Sequence, residues 1–134
     1  MIIFKAISSF RNRLDQLLKI RRGVYSGVED EIRKEFINTP IEQIRINRDL
    51  ILADDNTSII KLRLPDKKQR LSKKDGYRLI YLVSKTEEKV VFLDIYPKNG
   101  PMQQLTIDDN RLKELLQEFI TETKQNVLSD YPIA

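Results

Sequence analysis

The amino-acid sequence predicts an α+β domain in which two N-terminal helices and a C-terminal helix pack around a small, mainly antiparallel sheet. Three observations lead there. Apolar residues recur at helical spacing in two adjoining stretches near the start and in one near the end. Between them, β-branched and aromatic runs alternate apolar with polar positions and are separated by turn residues. At 134 residues, 40% hydrophobic and 33% charged, with 4 Gly and 5 Pro, the chain has the size and composition of one folded unit. Residues 1–134 are therefore read as a single domain with a frayed tail after about residue 124.

Ile2 to Ile7 is short, apolar and β-branched, which predicts a first strand, and Ser8 or Ser9 can cap a helix after it. Phe10, Leu14, Leu17 and Leu18 mark that helix's buried face, with Gly23 as its end. Ser26-Gly27 opens a second helix with Val28, Ile32 and Phe36 on one stripe, stopped by Asn38-Thr39-Pro40. Ile44, Ile46 and Leu50 to Leu52 then suggest one strand or a pair of short strands before the turn Asp54-Asp55-Asn56. Ile60, Leu62 and Leu64 alternate with Lys61 and Arg63, so this strand has a cationic polar face.

Pro65 to Asp75 is a basic loop closed by Gly76, and Tyr77 to Val83 is a strand rich in aromatic and branched residues. A polar turn, 85–88, leads into the strand Lys89 to Tyr96, the hairpin partner of the one before. On it Val91, Leu93 and Ile95 are assigned to one face, Asp94 and Tyr96 to the other. After the loop Pro97 to Gln104, Thr106 with Asp109 resembles a capping box for a helix whose core stripe is Leu112, Leu115, Leu116, Phe119 and Ile120. With the helices on one face of the sheet, the other face is expected to be free to bind.

Composition excludes much chemistry. Without cysteine there is no thiol nucleophile or thiolate metal site, and without histidine the commonest acid/base and zinc ligand is missing. Gly-rich phosphate loops of the nucleotide-binding kinds are absent too, so neither a metal nor a cofactor is expected. The apolar stretch at Met1 to Ile3 is too short for a signal peptide, and no run approaches a membrane span; the expected location is the cytoplasm, away from membranes.

The net charge is +4, but its distribution is uneven. Between Lys61 and Arg78 lie eight basic residues (Lys61, Arg63, Lys67, Lys68, Arg70, Lys73, Lys74 and Arg78) against the two acids Asp66 and Asp75. The positive field is concentrated there, and Tyr96 and Lys98 end the next strand. Cleaving RNA through its own 2′-hydroxyl needs a base, positive charge for the phosphorane and an acid for the leaving 5′-oxygen. A lysine crowded by other cations has its charged form disfavoured and can act as such a base, while arginine clamps phosphate oxygens in its planar fork. A tyrosine can stack on an unpaired base. The plain alternatives are a solvated basic loop, strand cations decorating a solvent face, and an Arg78–Asp94 cross-strand ion pair. Tyr77 and Tyr81, of opposite parity to Arg78, are read as packing residues.

The runs Ile60-Lys61-Leu62-Arg63, Asp75-Gly76-Tyr77-Arg78-Leu79-Ile80-Tyr81 and Val91-Phe92-Leu93-Asp94-Ile95-Tyr96-Pro97-Lys98, with the helix start at Leu105-Thr106, resemble the RelE/HigB branch of the RelE/ParE toxin superfamily. The likeness is best over residues 57 to 120. It implies a ribosome-dependent mRNA endoribonuclease of a type II toxin-antitoxin system, whose partners are the ribosome, mRNA and a cognate antitoxin that masks the basic face. By the same resemblance Arg78 contacts phosphate, Lys61 and Arg63 lie on the basic strand, and Tyr96 and Lys98 end the last strand of the site. In that scheme Lys61 or a loop lysine deprotonates the 2′-hydroxyl, Arg63 and Arg78 hold the phosphate, Arg78 or Lys98 supplies a proton, and Tyr96 orients the RNA. Lys67, Lys68, Arg70, Lys73 and Lys74 are RNA-binding candidates, Lys74 first among them. The ParE branch shares the fold but poisons DNA gyrase, so gyrase inhibition and non-catalytic RNA binding stand as alternatives.

Overall fold

β-branched and aromatic segments pair into strands here because each can bury a face against a helix stripe. The structure, a computed structural model, describes residues 1–46 and 50–134. In chain order it contains β1 (Ile3–Ala6), α1 (Ser8–Leu18), a 3₁₀ turn at Arg21–Gly23, α2 (Val28–Phe36), α3 (Ile41–Ile44), β2 (Leu50–Ala53), β3 (Thr57–Leu64), β4 (Tyr77–Ser84), β5 (Lys89–Pro97), α4 (Asp109–Gln125) and β6 (Ser129–Asp130). The strands form a six-stranded sheet in the order β2-β3-β4-β5-β1-β6. All pairs are antiparallel except β1 with β5.

One face carries an aromatic core. Cross-strand pairing aligns Ile60, Tyr81, Phe92 and Ala6 on it. Phe10 of α1 and Phe36 of α2 meet Phe92 at centroid distances of 5.4 Å each, and Phe36 meets Tyr81 edge-on at 5.2 Å. Tyr77 and Tyr81 are buried there, as their parity requires. The Tyr81 hydroxyl donates to the Ile44 carbonyl at 2.9 Å, which ties α3 to the sheet.

The opposite face of the sheet carries Lys61 and Asp94, and α4 adds to the core. Its Leu115 is fully buried, Leu112, Leu116 and Phe119 pack against the core, and its Arg111 acts electrostatically on Asp94, which lies on that second face. Toward one end of this face lie Lys61, half-buried, and Arg63, exposed.

Several local expectations are corrected. Neither Ser8 nor Ser9 caps α1 with its side chain; Glu122 accepts from the Ser8 amide at 3.1 Å and Glu118 from the Ser9 amide at 2.8 Å, so carboxylates of α4 complete the helix start. α1 ends at Leu18, before Gly23, and Leu18 is 37% exposed and not part of the buried stripe. Ile44 lies on the short helix α3 and Ile46 in a turn; the expected strand crosses 47–49, which lie outside the described residues, and among the described residues of this stretch only Leu50 to Ala53 is a strand. Pro40, extended at φ −68°, ends the preceding segment and is the N-cap residue before the first turn of α3.

β5 carries a bulge. Asp94 pairs with Ile80 but Phe92 with Tyr81, so Leu93 is the extra residue and the alternation reverses across it. Val91 therefore lies on the face of Asp94 and Tyr96, and Ile95 on the other with Phe92. α4 starts from Asp108, whose carboxylate accepts from the Arg111 amide at 2.7 Å, in place of the expected Thr106. The tail does not fray at 124: Asn126 ends α4 in a left-handed conformation, β6 pairs with β1, and Tyr131 and Ile133 are buried.

Candidate functional site

β3 and β5 finish at the level where β4 begins, with Leu64, Tyr77 and Pro97 aligned. One row back, Arg63, Arg78 and Tyr96 pair side by side; two rows further, on the same face, lie Lys61, Ile80 and Asp94. Directly paired residues share a face, so the sheet itself gathers Lys61, Arg63, Arg78 and Tyr96. Lys98 follows at the end of β5, its amide donating to the Gly76 carbonyl at 2.8 Å. Gly76 is required where the basic loop re-enters β4, because a Cβ there would lie 2.2 Å from the Leu64 carbonyl oxygen.

Among the cations gathered here, Lys98 has its acid-base behaviour altered. Burial, and then the nearby charges of Arg78, Lys61 and Arg63, push its ammonium below the ordinary lysine range. Its Nζ also donates to the Leu105 carbonyl. The bringing together of four cations at one strand end is the arrangement sequence reasoning expected of an anion site.

Two members of the set sit differently from expectation. Arg78 is only 7% exposed. Its guanidinium donates to the carbonyls of Lys73 at 3.0 Å, Lys74 at 2.8 Å and Tyr77 at 3.2 Å, so it anchors the end of the basic loop. It does not pair with Asp94, which is held by Arg13 of α1 at 3.8 Å. Asp94 is buried beside the bulge, and that burial raises its pKa against the opposing pull of Arg13. Tyr96 is fully buried, with its hydroxyl by Thr106 and the Ile107 backbone, so it cannot stack on a base in this conformation. Burial pushes its phenol up. Its place is beneath the cations, as support.

The basic loop divides into two halves. In the first, Asp66 bridges to Leu71, the Lys67 amide donates to Glu31 of α2 at 2.9 Å, and Lys68 Nζ donates to Ser26 Oγ. Lys67 and Lys68 are thus tethered beside α2, and Arg70, at a left-handed φ of 59°, turns the chain between the halves. In the second half Lys73 and Lys74 are exposed, with their carbonyls on Arg78. Lys73 and Lys74, not Lys67 and Lys68, adjoin the candidate site.

Sequence reasoning missed the groups that hold the two loops together. Asn99 Nδ2 donates to the Asp75 carbonyl at 2.8 Å, and the hydroxyl of Tyr25 donates to the Asn99 carbonyl at 2.8 Å. Asn99-Gly100-Pro101 was a visible turn signal, but nothing local marks Tyr25 as its partner.

Fold and site together define an α+β domain with a half-buried lysine in a cationic strand end, a setting that can hold a phosphodiester and exchange a proton with it. No family model matches the chain, and no curated protein matches it. Among the described residues, no helix is long and apolar enough to cross a membrane.

Proposed function

We propose that this chain is a RelE/HigB-like toxin, an endoribonuclease that cleaves mRNA on the ribosome and is held inactive by a cognate antitoxin. The observation that carries the reading is Lys98, a lysine with lowered proton affinity set among Lys61, Arg63 and Arg78. The resemblance at residues 60–63, 75–81 and 91–98 supports it, since those runs are the ones that supply the strand end. In this reading α1, α2 and α4 around the antiparallel strands are the helices of a RelE-like fold.

Lys98 takes the proton of the 2′-hydroxyl, whose oxygen attacks the adjacent phosphorus. Arg63 and Lys61 neutralise the charge that builds on the phosphorane, and Lys61 protonates the leaving 5′-oxygen. The bond to the 5′-oxygen breaks, leaving a 2′,3′-cyclic phosphate and a 5′-hydroxyl. Arg78 holds the loop wall of the site, with Lys73 and Lys74 meeting the neighbouring phosphates.

Purified chain added to ribosomes carrying mRNA should produce new 5′-hydroxyl ends, mapped by primer extension. Lys98→Met should slow their appearance by about 10²-fold or more, as loss of a general acid or base does, without lowering thermal stability. The reading fails if no cleavage occurs and induced cells stop incorporating thymidine before amino acids, the order expected of a gyrase inhibitor.

A further inference from the structure

The turn that follows Lys98 is built around a single hydroxyl. Tyr25, in the connection between α1 and α2, is fully buried and meets Tyr77 at a centroid distance of 6.2 Å. Its Oη donates to the Asn99 carbonyl at 2.8 Å and accepts from the Met102 amide at 3.1 Å. Gly100 lies between them at φ +95°, and a Cβ there would stand 2.5 Å from the same oxygen. From outside, Asn99 Nδ2 holds the Asp75 carbonyl and the Lys98 amide holds the Gly76 carbonyl, at 2.8 Å each. Lys98 Nζ meets the chain again at the Leu105 carbonyl, on the far side of the turn. The lysine thus spans a turn whose interior is filled by one phenol.

We propose that Tyr25 is a positioning residue for Lys98: its hydroxyl fixes the 99–104 turn so that the ammonium is held between the Leu105 carbonyl and the cations Lys61, Arg63 and Arg78. The proposal rests on the reading of Lys98 as the proton-transfer group, but its physical content holds without RNA. A turn released from Tyr25 relaxes toward solvent, where the ammonium regains hydration and draws away from Arg78 on β4 and from Lys61 and Arg63 on β3. Its proton affinity then returns toward that of an ordinary lysine.

The test is an NMR titration of the Lys98 side chain in the full chain labelled with ¹³C-lysine, the resonance assigned by its loss in Lys98→Met. In the wild type Lys98 should titrate below the ordinary lysine value of 10.5. Tyr25→Phe keeps the ring and removes only the hydroxyl, and should move that titration upward. Gly100→Ala attacks the same turn without touching Tyr25 and should move it the same way, with circular dichroism confirming the fold of both. In RNA cleavage, Tyr25→Phe should lower kcat about tenfold and change KM less than about twofold, the pattern of a misplaced catalytic group. An unchanged Lys98 titration in both folded variants overturns the proposal. If the titration moves while the wild type cleaves no RNA, the positioning role stands and the nuclease reading falls.

Discussion

The two halves of the basic loop have similar composition and opposite fates. Residues 66–71 are folded against α2 and the turn before it, where Glu31 and Ser26 hold them; residues 72–75 hang from the guanidinium of Arg78 at the strand end. In sequence they are one run of charge. The difference teaches that a basic stretch becomes a binding surface only where its backbone has a partner at the site, and here that partner is a buried cation.

The comparison breaks most severely at Arg78. Arg78→Ala removes three hydrogen bonds from a charged donor and should cost about 2 kcal/mol, read as a lower midpoint in urea. Amide exchange should accelerate across 72–75 while 66–71 keeps its protection, and equal acceleration in both halves would mean that the loop is one unit. A smaller effect separates two exposed lysines. Lys74→Ala should weaken single-stranded RNA binding and lessen the salt slope of log K by about 0.7, whereas Lys68→Ala should leave that slope unchanged. If the two variants behave alike, the division of the loop has no bearing on RNA.

The smallest effect concerns Asp94, which lies on the face of the site but is tied to α1. Burial raises its pKa above the ordinary carboxyl value of 3.8. A raised carboxyl stabilises the fold fully below the unfolded pKa and loses that contribution as pH rises through the folded one. Asp94→Asn should therefore flatten the decline in stability as pH rises from about 4 toward neutrality, measured as thermal midpoints at each pH. A decline as steep as the wild type's would assign it to another group.

How much of this was legible follows from what each signal depends on. The stripe Val28, Ile32 and Phe36 and the alternation from Ile60 to Leu64 were readable because their periods are local, and they are buried as expected. The grouping of the cations was readable as well, since Lys61, Arg63 and Arg78 sit on strands whose pairing aligns them and Lys98 follows directly on β5. The burial of Arg78 and Tyr96 was not, because it depends on a loop folding back and on the segment before α4 covering the strand. The bulge at Leu93 reverses a face with no local marker, and the caps of α1 come from carboxylates of Glu118 and Glu122 at the far end of the chain. The strand at Ser129–Asp130 is too short for any pattern to reveal.

β1 lies between β5 and β6, parallel to one and antiparallel to the other. Both neighbours come much later in the chain. During synthesis the first strand must therefore wait without its strand partners while residues of β3, β4 and β5, close together in the chain, are made. The Tyr131 amide donates to the Phe4 carbonyl at 3.0 Å, so the ordering of the tail that buries Tyr131 and Ile133 depends on the first strand to be made. A chain arrested before residue 129 would carry its finished cationic end beside an unfinished, adhesive edge.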